Sequence, residues 1–161
     1  MKKQIKPKHG EDYLSTVESI QIKLEDGSPA SFSLAAECFI PDDPKSCVKE
    51  ARDAHSRYAF WAYQTERALN AVRRIEASTA KVEGEADLIH RKRYDDIENE
   101  DYTETMIRSS VDIDASVAVS RAKLRKARHH YGILRCVRDA MEHRCNTLRR
   151  LVAQESEAKK G

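Results

Sequence analysis

Cysteines, histidines, clustered carboxylates and arginines are the side chains in this sequence that could carry chemistry. His129, Cys136 and His143 stand seven apart and fall roughly on one helix face. A zinc site draws its ligands from two elements to close a tetrahedron, so Cys38 or Cys47 would have to complete this one. The alternative is a row of ordinary helix positions. Asp95-Asp96 and Glu98-Glu100-Asp101 could hold a cation, but they lack the spacing of an EF-hand; a solvated acidic connector is the other reading. No glycine-rich phosphate loop, GxSxG elbow or HExxH pair occurs. The expectation is a chain with no metal, no cofactor and no enzymatic activity.

Arginine is the more informative residue. Residues 115–153 hold ten basic side chains, eight of them Arg, against only Asp139 and Glu142. At about 100° per residue, Arg121, Arg125, Arg128, Arg135 and Arg150 lie opposite an apolar face centred on Leu134, Met141, Cys145 and Val152. Lys123, Lys126, Arg138, Arg144 and Arg149 flank that row. A face that merely meets water would mix signs to make i,i+4 pairs. An uncompensated arginine row suits phosphate, because guanidinium bonds it in bidentate fashion. The alternatives are an exposed helix face or a seam against the acidic block of a neighbouring subunit. Arg91-Lys92-Arg93 forms a second cluster beside Tyr94, which could stack a base; cations at a helix C-terminus explain it equally well. Arg73, Arg74 and Lys81 could extend the surface toward it.

The net charge of the 161 residues is only +2, yet the charge comes in blocks. Residues 1–43 carry −3, 44–82 carry +4, 83–114 carry −7 and 115–153 carry +8. Blocks of this size point to contact between subunits, a polyanionic partner, or both. With one Trp, three Phe and 35% charged residues, only a thin core can form, which suits associating helices better than a globule. Lys2, Lys3, Lys6 and Lys8 are followed by His9, Glu11 and Asp12 rather than an apolar stretch, and no segment reaches the roughly 18 apolar residues of a membrane span. A soluble, cytoplasmic protein with four reduced cysteines is expected.

The elements that must position these residues follow from proline and periodicity. All four prolines lie at or before position 44. Residues 1–14 are expected to be a loose arm. Ile20, Ile22 and Leu24 share one parity, as do Phe32, Leu34, Ala36 and Cys38, with the turn cluster Glu25-Asp26-Gly27-Ser28-Pro29 between them. This pattern predicts a β-hairpin, one that must pack on something else to be stable. Asp43-Pro44 opens a helix expected to run to about 93, with Gly84 a place to bend or end it. Tyr58, Trp61, Leu69 and Val72 lie on its apolar side. Asp101 would cap a short helix through Met106 to Ser109, and Asp112 or Asp114 a last helix to about 153. Leu124, Tyr131, Leu134, Met141 and Leu148 form the apolar face of that last helix. The expected fold is mainly α: a long antiparallel helical hairpin in residues 44–161, preceded by the arm and small β-hairpin of 1–43, assembling as an oligomer.

Tyr58-x-x-Trp61, followed after twelve residues by Arg74-Ile75-Glu76, resembles the long first helix of the UvsY family, the recombination mediators of large tailed phages. Tyr131 before Gly132-Ile133-Leu134 is a second similarity, and the likeness extends over roughly residues 50–153. It implies a non-enzymatic protein that forms a ring-like homo-oligomer and binds single-stranded DNA. Such a protein restructures DNA coated by single-strand-binding protein and helps load a RecA-type recombinase. It also implies the cytoplasm of a phage's host. The family carries a basic stretch soon after the Arg-Ile-Glu motif; here that place reads Lys81-Val82-Glu83-Gly84-Glu85-Ala86, and the N-terminal hairpin is additional. The DNA-binding residues expected are therefore Lys81, Arg91, Lys92, Arg93, Arg121, Arg125, Arg128 and Arg135. The competing expectation is a virion or scaffold protein whose basic helix meets a neighbour's acidic connector, with no nucleic acid involved.

Overall fold

Asp43 stands before Pro44, and its carboxylate accepts hydrogen bonds from the backbone N–H groups of Lys45 and Ser46, at 3.0 and 3.2 Å. Those donors have no partner inside a helix, so the cap starts one. The structure is a computed structural model and describes residues 19–23, 27–96 and 102–159. The elements are β1 (Ile20–Lys23), β2 (Pro29–Phe32), α1 (Leu34–Cys38), α2 (Pro44–Asp96), α3 (Glu104–Ile113) and α4 (Ala115–Ala158). The fold is mainly helical, with a two-stranded N-terminal hairpin and a long helix packed against another. The expected N-terminal arm, Leu24, the Glu25-Asp26 part of the turn, Glu98, Glu100 and the Asp101 cap lie outside the described residues. The described residues form two compact units. One holds residues up to Trp61 together with those from Val137 onward; the other is Ala62–Cys136.

In the first unit β1 and β2 pair antiparallel, Ile20 opposite Phe32 and Lys23 opposite Pro29. Gly27 in the turn has φ +81°, a conformation that glycine takes without a Cβ clash. Ile20 and Ile22 are buried and Gln21 and Lys23 exposed, the alternation of a one-sided strand. Two strands alone are marginal. Here Phe32 meets Phe60 and Trp61 of α2, with ring centroids 5.5 and 5.1 Å apart. The alternation expected through Leu34, Ala36 and Cys38 does not continue as a strand: these residues form α1. Ser33 caps it by accepting from the Ala36 N–H, and Ala35, Ala36 and Glu37 favour a helix once it is started. Glu37 then accepts from the Trp61 indole N–H at 3.1 Å.

The same unit packs α2 against α4. Cys47, Ala54, Cys145 and Leu148 make a core flanked by Ile40, Ala51 and Tyr58. The four cysteines are free thiols. Burial pushes the Cys38 and Cys145 thiols up from the ordinary cysteine value. Arg144, expected beside the outward cationic row, is instead 2% exposed. It donates to Glu50 at 2.5 Å and to the Phe39 carbonyl at 2.8 Å, fastening α4 to α2 and to the end of α1. The Arg144 bond holds the Glu50 carboxyl below its usual value.

In the second unit α3 lies on α2. Ala86, Ile107, Val111 and Val117 form its core, with Val82, Tyr94 and Tyr102 against it. α2 runs through Gly84 without ending. The cap of α3 is Thr103, whose hydroxyl accepts from the Met106 N–H. Asp114 caps α4, accepting from Ser116 and Val117 N–H at 2.8 and 3.3 Å. Asp112, the other candidate cap, lies inside α3. Among the described residues no helix is long and apolar enough to cross a membrane.

Two stability predictions follow from these contacts. Arg144→Ala leaves Glu50 with only Arg57, at 3.7 Å, empties a buried site and removes the donor to the Phe39 carbonyl, and should cost about 1–3 kcal/mol in urea unfolding. Arg144→Met, which refills the space, should cost less. The hydrogen bonds from Ser116, then from Val117, hold the Asp114 carboxyl below the usual Asp value. A depressed folded pKa contributes stability that is present above about pH 4 and is lost as pH falls through the folded value. Asp114→Asn should therefore flatten the acid limb of thermal midpoint against pH; an unchanged limb would contradict the assignment.

Candidate nucleic-acid interface

α4 contains no Asp or Glu from Ala115 to Arg138; Arg138 pairs with the adjoining Asp139, and an anion meeting Arg121, Arg125 or Arg128 must come from another element or another molecule. Within the second unit α2 supplies some. Arg128 donates to Glu76 through Nε and Nη2, at 3.1 and 2.7 Å. Arg121 donates to Glu83 at 2.6 Å and to Asp112 of α3 at 2.7 Å. Glu76 and Glu83 are seven apart on α2, and Arg121 and Arg128 seven apart on α4. The helices run antiparallel, so the lower-numbered acid meets the higher-numbered arginine. The Thr65 hydroxyl, donating to the Leu134 carbonyl at 3.2 Å, continues the same register.

Between the two charge pairs lies an open cleft of about 490 Å³. Glu76, Thr79, Ala80 and Glu83 line it from α2, and Arg121, Leu124, Arg125 and Arg128 from α4. Arg125 is exposed and has no ion-pair partner among the described residues. The Thr79 side chain is 4% exposed and its hydroxyl has no hydrogen-bond partner among them. A second cleft of about 340 Å³ shares Glu83 and Arg121 and adds Asp87, Arg108, Val111 and Asp112. Arg128 and Glu76 keep 60% and 40% of their side-chain surface, so water and salt screen the pair. Exposed pairs of this kind contribute little to stability and exchange readily.

The expected DNA-binding residues divide three ways. Arg91 is engaged: its guanidinium forks onto Glu104 at 2.7 and 2.8 Å and onto Asp87 at 2.7 Å. The Glu104 bond, then Asp87, pushes the Arg91 pKa up, and Arg91 in turn holds the Glu104 carboxyl low. Arg121 and Arg128 are engaged in the pairs above. Lys81 makes only an exposed i,i+4 contact with Glu85 at 3.7 Å. Lys92, Arg93 and Arg125 are exposed, with no ion-pair partner among the described residues, and Arg135 is also exposed. Tyr94 is not a free base stacker. It stacks on Tyr102 with centroids 5.6 Å apart, and its hydroxyl bonds Ser110 at 3.2 Å.

Of the apolar residues expected to pack, Trp61, Val72, Leu134, Met141 and Leu148 are buried. Tyr58, Leu69, Leu124 and Tyr131 are half-buried. His129, Cys136 and His143 are all exposed, and among the described residues no three His, Cys, Asp or Glu side chains gather to hold a metal ion. The residues that sequence reasoning missed are Glu76, Glu83, Asp112 and Thr79. The signal for the first two was present as a matched seven-residue spacing of opposite charge on two antiparallel helices. Thr79 gave none, because an unpartnered hydroxyl is a property of packing.

Comparison of the chain with protein-family models, with curated proteins and with solved structures finds no match.

The weakness of the charge pairs is measurable. A double-mutant cycle on Arg121 and Glu83 should give a small coupling free energy that 0.5 M salt, about the range where screening closes to a few Å, removes. A large, salt-insensitive coupling would mean that the arginine is locked.

Proposed function

We propose that this chain is a non-enzymatic recombination mediator that binds single-stranded DNA. The observation that supports the DNA part is the acid-free stretch of α4. Lys123, Arg125 and Lys126 are exposed there, without a carboxylate partner among the described residues; Arg128 is held only by an exposed pair, and Arg121 by a half-buried pair with Glu83 and an exposed one with Asp112. Cations spread along a helix bind phosphates with little sequence preference, because each contact releases counterions from the strand. Lys92 and Arg93 at the end of α2 add to the same chemistry. The mediator role rests on the resemblance carried by Tyr58, Trp61, Arg74-Ile75-Glu76 and Gly132-Ile133-Leu134. In this reading several copies form a ring-like oligomer in the host cytoplasm. The ring holds a strand in an altered path, weakens the grip of single-strand-binding protein and offers a site to a RecA-type recombinase.

A second reading is favoured by two observations. Arg91, Arg121 and Arg128 already have carboxylate partners within the chain. Leu88, Ile89 and Ile113 are 67%, 65% and 83% exposed, an unusual amount of bare aliphatic surface for a short stretch. A virion or scaffold protein that assembles through such surface needs no nucleic acid.

The test is binding to a fluorescent poly-dT oligonucleotide at several salt concentrations, with mass measured in parallel. The mediator reading expects an oligomer whose affinity falls linearly on a log–log salt plot. It also expects Arg125→Glu with Arg128→Glu to weaken binding by more than about tenfold at constant oligomer mass. Unchanged affinity in the variant would remove α4 from the site. Absence of binding even at low salt would leave the assembly reading.

A further inference from the structure

We propose that the cleft between Glu76–Arg128 and Glu83–Arg121 is a seat for a backbone phosphate, and that the two glutamates occupy its arginines until a phosphodiester displaces them. This deepens the DNA-binding reading and rests on it. Three arginines within two turns of one helix converge on one open cleft, with Arg125 between the two that are paired. A single-stranded phosphodiester offers what each glutamate offers, an anionic pair of oxygens for a guanidinium fork. Along a strand it offers them repeatedly, and it can reach Arg125, which neither glutamate meets.

The Thr79 hydroxyl is the second, independent observation. It stands on α2 between Glu76 and Glu83, lines the cleft and is covered, yet has no acceptor or donor among the described residues. A buried hydroxyl left unpaired is a standing cost. Its position is that of a group waiting for an oxygen-rich ligand rather than one completing the helix packing. When Arg121 and Arg128 leave their glutamates for a phosphate, the cleft opens beside Thr79 and the hydroxyl can donate to a phosphate oxygen.

The glutamates thereby act as internal competitors. Strand binding by the native chain must release Glu76 from Arg128, and both Glu83 and Asp112 from Arg121, and these carboxylates take up counterions as the phosphates give theirs up. The salt dependence of the native chain is therefore shallower than its number of phosphate contacts implies. Removing the competitors should tighten binding and steepen the salt plot together, a pairing that a purely structural role for Glu76 and Glu83 does not produce.

The experiment compares the full chain with Glu76→Gln/Glu83→Gln and with Thr79→Val, using the same poly-dT probe, with thermal melts of each. The double glutamine variant should bind about tenfold tighter, with a log–log slope steeper by about 0.7 for Arg128; adding Asp112→Asn, which removes the remaining partner of Arg121, should steepen it by about the same again. Thr79→Val should melt no lower than the native chain, since it removes an unpaired hydroxyl, and should bind the strand more weakly. Native binding that the glutamine pair leaves unchanged in affinity and slope overturns the seat while the DNA reading stands. Should the glutamine pair fail to fold, Thr79→Val decides: lower melting with unaltered binding overturns the proposal. Binding by none of these proteins overturns the DNA reading itself. Tripolyphosphate serves as the free-anion control, and heat protection by it without oligonucleotide binding would overturn the strand as the source of the phosphate.

Discussion

A helix that carries seven Lys and Arg side chains and no acid over residues 115–138 can pack on another helix only where acids of that helix face its cations. Like charges brought to a few ångströms repel, and an apolar seam as narrow as this one has little to set against that. The pairing of Glu76 with Arg128 and of Glu83 with Arg121 meets the constraint inside the second unit. It places acids on α2 at the spacing of arginines on α4, and the antiparallel direction makes the two sets coincide. Each pair contributes little alone. Together with the Thr65–Leu134 hydrogen bond they select one register among those the small Ala, Val and Leu side chains would tolerate.

The same arrangement shapes what the surface can do. An arginine row left bare would bind any polyanion and would repel a second copy of itself. A row half-neutralised by its own helix partner is quieter, and stronger anions can still exchange with it. Arg121 and Arg128 are shielded, Arg125 is not, and the cleft among them holds an unpaired hydroxyl. At the end of α2 the balance falls the other way. Arg91 is committed to Glu104 and Asp87 and helps hold α3 in place, while Lys92 and Arg93 remain at the surface. Neighbouring cations in one tripeptide thus take different duties, according to which side of the helix each occupies.

The first unit solves a different problem. A two-residue-wide aromatic contact, Phe32 on Phe60 and Trp61, gives the hairpin the surface it lacks. Arg144 then uses a charge where a globular core would use an apolar side chain. Its guanidinium satisfies the Phe39 carbonyl at the end of α1 and pairs with Glu50, so three elements meet at one buried cation. Such a contact specifies an arrangement more than it adds stability, since both charges lose water to make it.

Much of the secondary structure was legible from local rules. Asp43-Pro44 and Asp114 cap the long helices because a short carboxylate before a helix can reach its free N–H groups whatever lies elsewhere. Gly27 turns the hairpin for an equally local reason. Local rules failed at Leu34–Cys38, where alternation suggested a strand and a capping Ser33 with two alanines made a helix. The candidate site was legible in half. The arginines were visible in the sequence because their row on α4 is a matter of helical period. Their partners were not, since summing charge by block counted Glu76 with a basic segment and Glu83 with an acidic one. Which arginines are sheathed, which is bare, and that Arg144 points inward depend on the register of one helix against another. That register is set by contacts between residues about forty to a hundred positions apart, which no local pattern encodes.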